Sequence, residues 1–450
     1  MSAASHAQNG SPEGDGAHPQ GTKRKYRRWR DEDAKRWKEC FEGGNSILEI
    51  AAIDQVDPKI VSQWLRRLGV EVYQGRHRVG QLPLKIPSEL AELLSRGPDY
   101  VLKFLDERVW GLTATESGAE QLRKFCRFIE LHKHGTGVLD IASQLQVHRS
   151  TVSAWRESTD QPYLVRAAQA ALKNQTSSDE KLLPLHLDSG GNQQDSWIRV
   201  PTHITSFSDI QKVVDQLTPL PRTHELGSQF GLSESQTQSM RLELFAYLLG
   251  VMVGDLAKSG GLLSRFASMN LDLQLSKKQV TNERFGDMVS LCVNSLGIGM
   301  HRITDKLPSG ATRFGKHPSA AYRWISERSP LFAWMFSVAL GLRWNQTTSE
   351  DRIQIDWIFS TPHSFRLRFI QGLADSDATV KPSEIVITSV PNADLTTRLL
   401  QSLGITTAHT IYESGIPLRT MVNRRQSSSL PIFNEFVKSY RYHKMLDYKH

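Results

Sequence analysis

The stretch Leu244-Phe-Ala-Tyr-Leu-Leu-Gly-Val-Met-Val-Gly-Asp-Leu-Ala257 is an apolar, helix-like run that ends on a single carboxylate, Asp255. A second version stands 122 residues further on, as Arg368-Phe-Ile-Gln-Gly-Leu-Ala-Asp-Ser-Asp-Ala378. At that offset Tyr247 falls on Phe369, Leu248 on Ile370, Gly250 on Gly372, Val251 on Leu373, Gly254 on Ser376 and Asp255 on Asp377. Glycine inside a helix costs about 1 kcal/mol against alanine, so Gly250 and Gly254 need a compensating role. Four residues apart, they line one helix face and let a second backbone approach closely. Gly372 and Ser376 make the same face in the second copy. The spacing predicts two helices packed about a pseudo-twofold axis, with Tyr247, Gly250, Gly254, Phe369, Gly372 and Ser376 at their interface. Their C-terminal ends then bring Asp255 and Asp377 together.

The flanking patterns repeat as well. After the first copy, Met269, Leu271, Leu273 and Leu275 alternate with Asn270, Asp272, Gln274 and Ser276, the period of a half-buried strand. A helix (282–296) closing on Ser295-Leu-Gly-Ile298, strands near 301–307 and 321–327, and a helix at 330–342 follow. After the second copy come a strand (384–390) and a helix closing on Ser402-Leu-Gly-Ile405. Strands near 409–413 and 416–423 and a helix at 430–442 complete it. The common order predicts a duplication, with halves at 241–345 and 346–450. Two carboxylates converging beside helix-end carbonyls repel each other and favour a cation, and oxygen-only ligation selects a hard ion such as Mg²⁺. Such an ion can bind a phosphate oxygen and activate water.

Leu248-Leu-Gly-Val-Met-Val-Gly-Asp-Leu256 and Ile370-Gln-Gly-Leu-Ala-Asp-Ser-Asp-Ala378 resemble the paired signatures of LAGLIDADG (DOD-type) homing endonucleases in their single-chain, two-repeat form. The resemblance covers roughly 241–445. It implies an α+β fold with a duplicated αββαββα unit and saddle-shaped sheets over the major groove. By the same resemblance Asp255 and Asp377 are the catalytic, metal-binding acids, with help from the Gly254 and Ser376 carbonyls, and the cofactor is Mg²⁺ (or Mn²⁺). Asn270, Asp272, Gln274, Arg302, Lys306, Arg419 and Arg424 would face double-stranded DNA. The basic residue beside the scissile phosphate would be one of Lys306, Lys316, Arg419 or Arg424. Three positions depart from the family pattern. Leu256 and Ala378 replace the glycine after each acid, which predicts a strained turn, and Val253 replaces an acid that Asp375 retains. A site-specific DNA endonuclease is therefore expected; the alternative is a non-catalytic DNA-binding regulator built on a degenerate core of this family.

The N-terminal part has its own repeat. Residues 50–64 and 141–155 share Ile, Ala, Gln, Val, Val, Ser and Trp at an offset of 91. The pattern predicts a helix, a tight turn and a second helix opened by Pro58 or by Arg149-Ser150. It resembles the helix-turn-helix of DNA-binding proteins. That resemblance makes Arg149, Ser150, Thr151, Ser153 and Arg156 the groove-facing side chains of the second copy. The first copy sets Asp54 where the second has Leu145, so its first helix should bend or rotate. Residues 1–22 have a disordered composition. Lys23-Arg-Lys-Tyr-Arg-Arg-Trp-Arg30 predicts a nucleic-acid arm, charge for phosphates and rings for stacking; the alternative is a solvated helix entry, since Asp31, Glu32 and Asp33 follow at once. The expected organisation is a tail (1–22), the arm and first module (23–82), a helical region with the second module (83–172), and a linker and lead-in (173–240). That last segment should hold one short helix near 207–217.

The bulk charge is moderately basic, which fits nucleic acid, an anionic membrane surface or no particular partner. The 450 residues carry a formal net charge of +8, with a pI near 9.3. Cys40, Cys126 and Cys292 have no metal-ligand or disulfide-framework spacing. The apolar runs 244–253 and 331–342 fall short of the roughly 18–20 residues of a membrane span, and the N-terminus lacks a signal-peptide core. The expectation is an intracellular, cytoplasmic, nucleoid-associated protein, not secreted, without a membrane partner and monomeric through its internal pseudo-twofold symmetry.

Overall fold

The structure is a computed structural model. It describes residues 31–42, 45, 47–70, 84–111, 116–174, 176–185, 196–254, 257–259, 268–274, 279–303, 321–343, 346, 348 and 350–447. The expected tail, the basic arm, Asp255, Leu256, Lys306 and Lys316 lie outside these residues. The chain divides into two compact units, Met1–Leu82 and Pro83–His450.

In the first unit α1 (Asp31–Glu42), α2 (Ile47–Ile53) and α3 (Pro58–Arg67) enclose a small core of Trp37, Ile50, Ala51, Val61 and Leu65. The turn between α2 and α3 passes through Gln55 in the left-handed conformation (φ 52°). The Asp57 carboxylate then caps α3 by accepting from Lys59 N at 2.8 Å, and Pro58 opens the helix where a missing N–H costs nothing. Asp54 does not enter the core. The helix ends one residue before it, and its carboxylate accepts from the Trp37 indole N–H and from Arg36.

The second unit opens with α4 (Ser88–Ser95), α5 (Pro98–Arg108), α6 (Glu116–Lys133), α7 (Val138–Leu145), α8 (Arg149–Glu157) and α9 (Tyr163–Lys173). Here the same turn recurs, with Gln146 left-handed (φ 53°) at the position matching Gln55. Leu145 completes α7 and joins a core in which the Trp155 ring lies 5.1 Å from Phe125 and 5.7 Å from Phe128.

The described residues of 173–240 carry more structure than a linker and lead-in, and the helix expected near 207–217 is present at Phe207–Gln216. They form an antiparallel pair, β1 (Glu180–Pro184) and β2 (Trp197–Pro201), then α10 (Phe207–Gln216), α11 (Arg222–Gln229) and α12 (Glu234–Ser239). Ile198, Val200, Ile210, Val213 and Leu226 are buried in the main core.

Next come α13 (Arg241–Val253), β3 (Ala257–Ser259), β4 (Ser268–Gln274), α14 (Gln279–Ser295), β5 (Met300–Arg302), β6 (Ala321–Ser326) and α15 (Pro330–Trp334), which runs on as a π turn over Met335–Ala339. A 3₁₀ turn (Asp356–Ser360) leads to α16 (His363–Asp377), β7 (Ala378–Val380), β8 (Glu384–Ile387), α17 (Ala393–Ser402), β9 (His409–Glu413) and β10 (Ile416–Asn423). The two four-stranded antiparallel sheets are ordered β3-β4-β6-β5 and β7-β8-β10-β9, the same order in both. The shared Ser-Leu-Gly-Ile sequence ends α14 and α17 on glycines with φ of 79° and 90°, a left-handed exit that side chains rarely adopt.

The helix expected at 430–442 does not form. Instead α18 (Arg424–Ser429) and α19 (Tyr440–Leu446) flank an irregular segment. Its backbone groups bond side chains of the two halves. Pro431 O accepts from Gln371 at 3.0 Å, Asn434 N donates to Asp375 at 3.2 Å, and Phe436 O accepts from Arg284 at 2.7 Å. These bonds replace the helical ladder that the apolar spacing suggested.

Candidate active site

The two motif helices, α13 and α16, meet backbone to backbone. A methyl group on Gly250 would overlap the carbonyl oxygen of Phe369 and stand 2.8 Å from Leu373 N. A methyl on Gly372 would overlap the carbonyl of Tyr247 and stand 3.0 Å from Val251 N. Tyr247 and Phe369 are equivalent residues, as are Val251 and Leu373, so each helix makes to the other the contact it receives. That reciprocity is the signature of a twofold interface. At the C-terminal end, a methyl on Gly254 would overlap the Ser376 hydroxyl and lie 3.6 Å from Asp377 Cβ. The residue preceding Asp255 therefore abuts the end of α16 that carries Asp377.

The turn after Asp377 is not strained. Ala378 has φ −98° and ψ 150°, ordinary extended backbone, and the chain passes directly from α16 into β7. A terminal glycine is needed only where the exit is left-handed, and this one is not.

Asp375 and Tyr247 form a buried pair between the helices. The Tyr247 hydroxyl donates to Asp375 Oδ2 at 2.9 Å, and Asn434 N donates to the same oxygen at 3.2 Å. Oδ1 is buried without a hydrogen-bond partner. Burial pushes the Asp375 carboxyl up to about 7, against the opposing bonds from Tyr247 and Asn434 and the nearby Arg441. At the pseudo-symmetric positions stand Phe369 and Val253, both apolar. Each of these departures from the repeat is visible in the residues alone; that both fall on facing helices is the signal that pairs them.

Nearer the start of α16, Arg368 is clamped by Glu243 of α13 at 3.2 Å and by Glu435 at 2.9 Å, and it donates to Gln371 at 2.7 Å. Burial opposes the charge on Glu435, but the bonds from Arg368 outweigh it and hold its carboxyl below the usual range.

Several sequence-derived assignments move. The Ser376 carbonyl already accepts from Arg441 Nη1 at 3.3 Å, as does the Asp375 carbonyl. A divalent ion on that oxygen would face a guanidinium, so Ser376 does not fit as a metal ligand. Arg424 does not face DNA. It is buried, and its guanidinium donates to the carbonyls of Met445 (3.3 Å), Pro382 (3.1 Å) and Lys444. Arg302, at the end of β5, is ion-paired with Glu283 at 3.3 Å and lies over the Trp324 ring. Arg419 sits on β10 beside the bulge, half-buried, with its Nε buried and unbonded. Asn270, Asp272 and Gln274 take alternate positions on β4. Among the described residues no group of three His, Cys, Asp or Glu side chains could hold a metal ion. The Asp377 carboxylate, at the end of α16 that meets Gly254, and the Gly254 carbonyl are oxygens of the kind a hard cation takes.

On the helical module, Arg149 and Ser150 are exposed at the start of α8, Thr151 and Ser153 are half-buried, and the ring of His148 caps the helix by accepting from Ser150 N at 3.3 Å. Arg156 is turned to Glu157 at 2.9 Å rather than outward. The matching helix α3 carries Lys59, Arg66 and Arg67, all exposed, and no acid.

No helix among the described residues is long and apolar enough to cross a membrane. No family model matches the sequence, and no curated protein matches it. Solved structures similar to this chain include those of the homing endonuclease I-DmoI. Mesophilic variants of that enzyme share 16% identity at a TM-score of 0.30, over 44% of this chain and 92% of theirs. The complex of I-DmoI with DNA and Mn shares 16% at 0.29, over 47% and 99%. A variant with its target DNA nicked in the coding strand shares 15% at 0.30, over 43% and 98%. Likeness at that score establishes neither family nor function.

Proposed function

We propose that this chain is a site-specific double-stranded DNA endonuclease that hydrolyses phosphodiester bonds with a divalent metal, Mg²⁺ or Mn²⁺, held by Asp255 and Asp377. The observation that carries the reading is the close approach of Gly254 to Ser376 at the paired helix ends, which sets the residue before one acid against the residue before the other. A bound divalent ion would supply charge stabilisation of a phosphate oxygen and an activated water. The protein's part is placement. The glycine seam fixes the spacing of the two helix ends, and the buried Asp375–Tyr247 bond fixes their rotation. A pseudo-twofold axis between the motif helices suits a duplex, whose two strands are themselves related by local twofold axes.

In this reading the halves 241–345 and 346–450 present their sheets as a saddle on DNA, with Asn270, Asp272, Gln274 and Arg419 toward the duplex. The helical modules add affinity through Arg149, Ser150, Thr151 and Ser153. The protein acts as a monomer in the cell interior, where its DNA is.

The test is cleavage of a library of plasmid-borne sites by purified protein with Mg²⁺ or Mn²⁺. Cutting at one long site, abolished by Asp255→Asn and by Asp377→Asn with binding retained, is expected. Tight specific binding without cleavage under either metal would replace this reading with the regulator.

A further inference from the structure

A helix leaves its last carbonyls without intrahelical donors, and at the end of α16 each of these has an identified partner. Ala374 O accepts from Ala378 N, and Asp377 O accepts from Thr388 N at 3.3 Å. The two between them, Asp375 O and Ser376 O, accept from one guanidinium, Arg441 Nη1. Arg441 is on α19, 66 residues from Asp375 in sequence. Its helix is pinned in turn. Ser439 Oγ caps it by accepting from Tyr442 N at 3.1 Å, Arg424 donates to the Lys444 and Met445 carbonyls, and Lys444 Nζ donates to Val380 O on β7. The chain of bonds runs from β7 through α19 back to the last turn of α16, closing around the α16–β7 joint.

We infer that Arg441 is a positioning residue for Asp377: it closes the C-terminal turn of the second motif helix and fixes the direction in which that carboxylate leaves it. The inference rests on the nuclease reading for its functional consequence but not for its geometry. A guanidinium suits the task because Nη1 carries two N–H donors and serves both carbonyls. Its positive charge also sits at the negative end of the helix dipole, beside a carboxylate that the dipole alone disfavours. Asp255 belongs to the other half, whereas the bonds of Arg441 to a motif helix go to α16. Its removal should therefore disturb one acid more than the other.

The experiment compares wild type with Arg441→Met and Arg441→Lys by two readouts. The first, metal-free, is hydrogen exchange over 373–380. Arg441→Met should speed exchange there and leave α13 unchanged, with Arg441→Lys between. The second is cleavage of a duplex labelled on each strand separately. Arg441→Met should slow one strand roughly 10- to 100-fold more than the other, the scale of loss for a misplaced catalytic group, so that nicked DNA accumulates while binding is retained. Unchanged exchange at 373–380 overturns the inference whatever the cleavage shows. Faster exchange with both strands slowed equally also overturns it, since that is loss of structure rather than of aim. Wild type that cuts nothing under Mg²⁺ or Mn²⁺ defeats the nuclease reading alone, and the exchange result still decides whether Arg441 holds the joint.

Discussion

Gly250 and Gly372 occupy each other's mirror role across the motif-helix seam. The space a side chain would take on the first is filled by the Phe369 carbonyl, and the space on the second by the Tyr247 carbonyl. Intrinsic propensity favours alanine over glycine within a helix by about 1 kcal/mol, and here the two effects oppose each other. Backbone carbonyls on a packed helix cannot swing aside as a side chain can. We expect Gly250→Ala and Gly372→Ala each to destabilise the protein by about 1–3 kcal/mol or more, the usual cost of overpacking. Urea unfolding gives the sign directly. A variant as stable as wild type would mean that the seam is looser than described.

Tyr247→Phe leaves Asp375 Oδ2 with Asn434 N as its remaining partner while Oδ1 still has none. Losing one of the two donors to Oδ2 costs about 0.5–1.5 kcal/mol, the net worth of one hydrogen bond. The double variant Tyr247→Phe with Asp375→Val copies the chain's own counterpart positions, Phe369 and Val253. It should recover most of the loss, because removing both partners of a buried polar pair is far less costly than removing one. A strictly additive cycle would show the two side chains to be uncoupled.

DNA binding by the helical modules should divide residue by residue. Lys59→Ala and Arg149→Ala remove exposed cations from the second helices of the two modules. Each should lower the slope of log affinity against log salt by about 0.9 for every phosphate left without its cation. Arg156→Gln should leave that slope unchanged, since Arg156 is already paired with Glu157. A slope unaffected by Lys59→Ala and Arg149→Ala would remove the modules from the DNA interface.

The imidazole of His132 is buried on α6 with Nε2 unbonded, and burial, reinforced by Arg156, lowers its pKa. The folded protein therefore resists the proton that the unfolded chain accepts near pH 6.5. The sign follows: this contribution is present above the unfolded value and is lost as pH falls through the lowered folded one. Urea midpoints measured from pH 8 to pH 5 should decline less for His132→Leu than for wild type. Parallel declines would assign the acid sensitivity elsewhere.

What could be read in the residues beforehand was whatever local spacing encodes. The glycine faces, the acid at the end of α16 and the strands 409–413 and 416–423 are local signals, and so is the repeated turn with its matched Gln55 and Gln146. The missed features depend on distant backbone. Apolar spacing at 430–442 looked helical because Ile432, Phe433 and Val437 are all buried, but their neighbours' backbone groups are claimed by Gln371, Asp375 and Arg284. The basic Arg424 looked fit for phosphate, yet its donors are spent on three carbonyls that no short-range pattern brings together. Ala378 looked like a defect because a glycine was expected; the observed exit from α16 is extended and asks for none.

The Tyr247–Asp375 bond also governs which helix can pair with which. Glycine faces alone are indifferent: α13 could seat a second α13, or α16 a second α16, as readily as each other. Two copies of α13 would bury the Tyr247 hydroxyl opposite valine, with no acceptor. Two copies of α16 would enclose two carboxylates opposite phenylalanine, with no donor from a phenol. Only the mixed pair satisfies both groups, so one hydrogen bond makes the association exclusive. Association of two chains through like helices, α13 on α13 or α16 on α16, is thereby disfavoured.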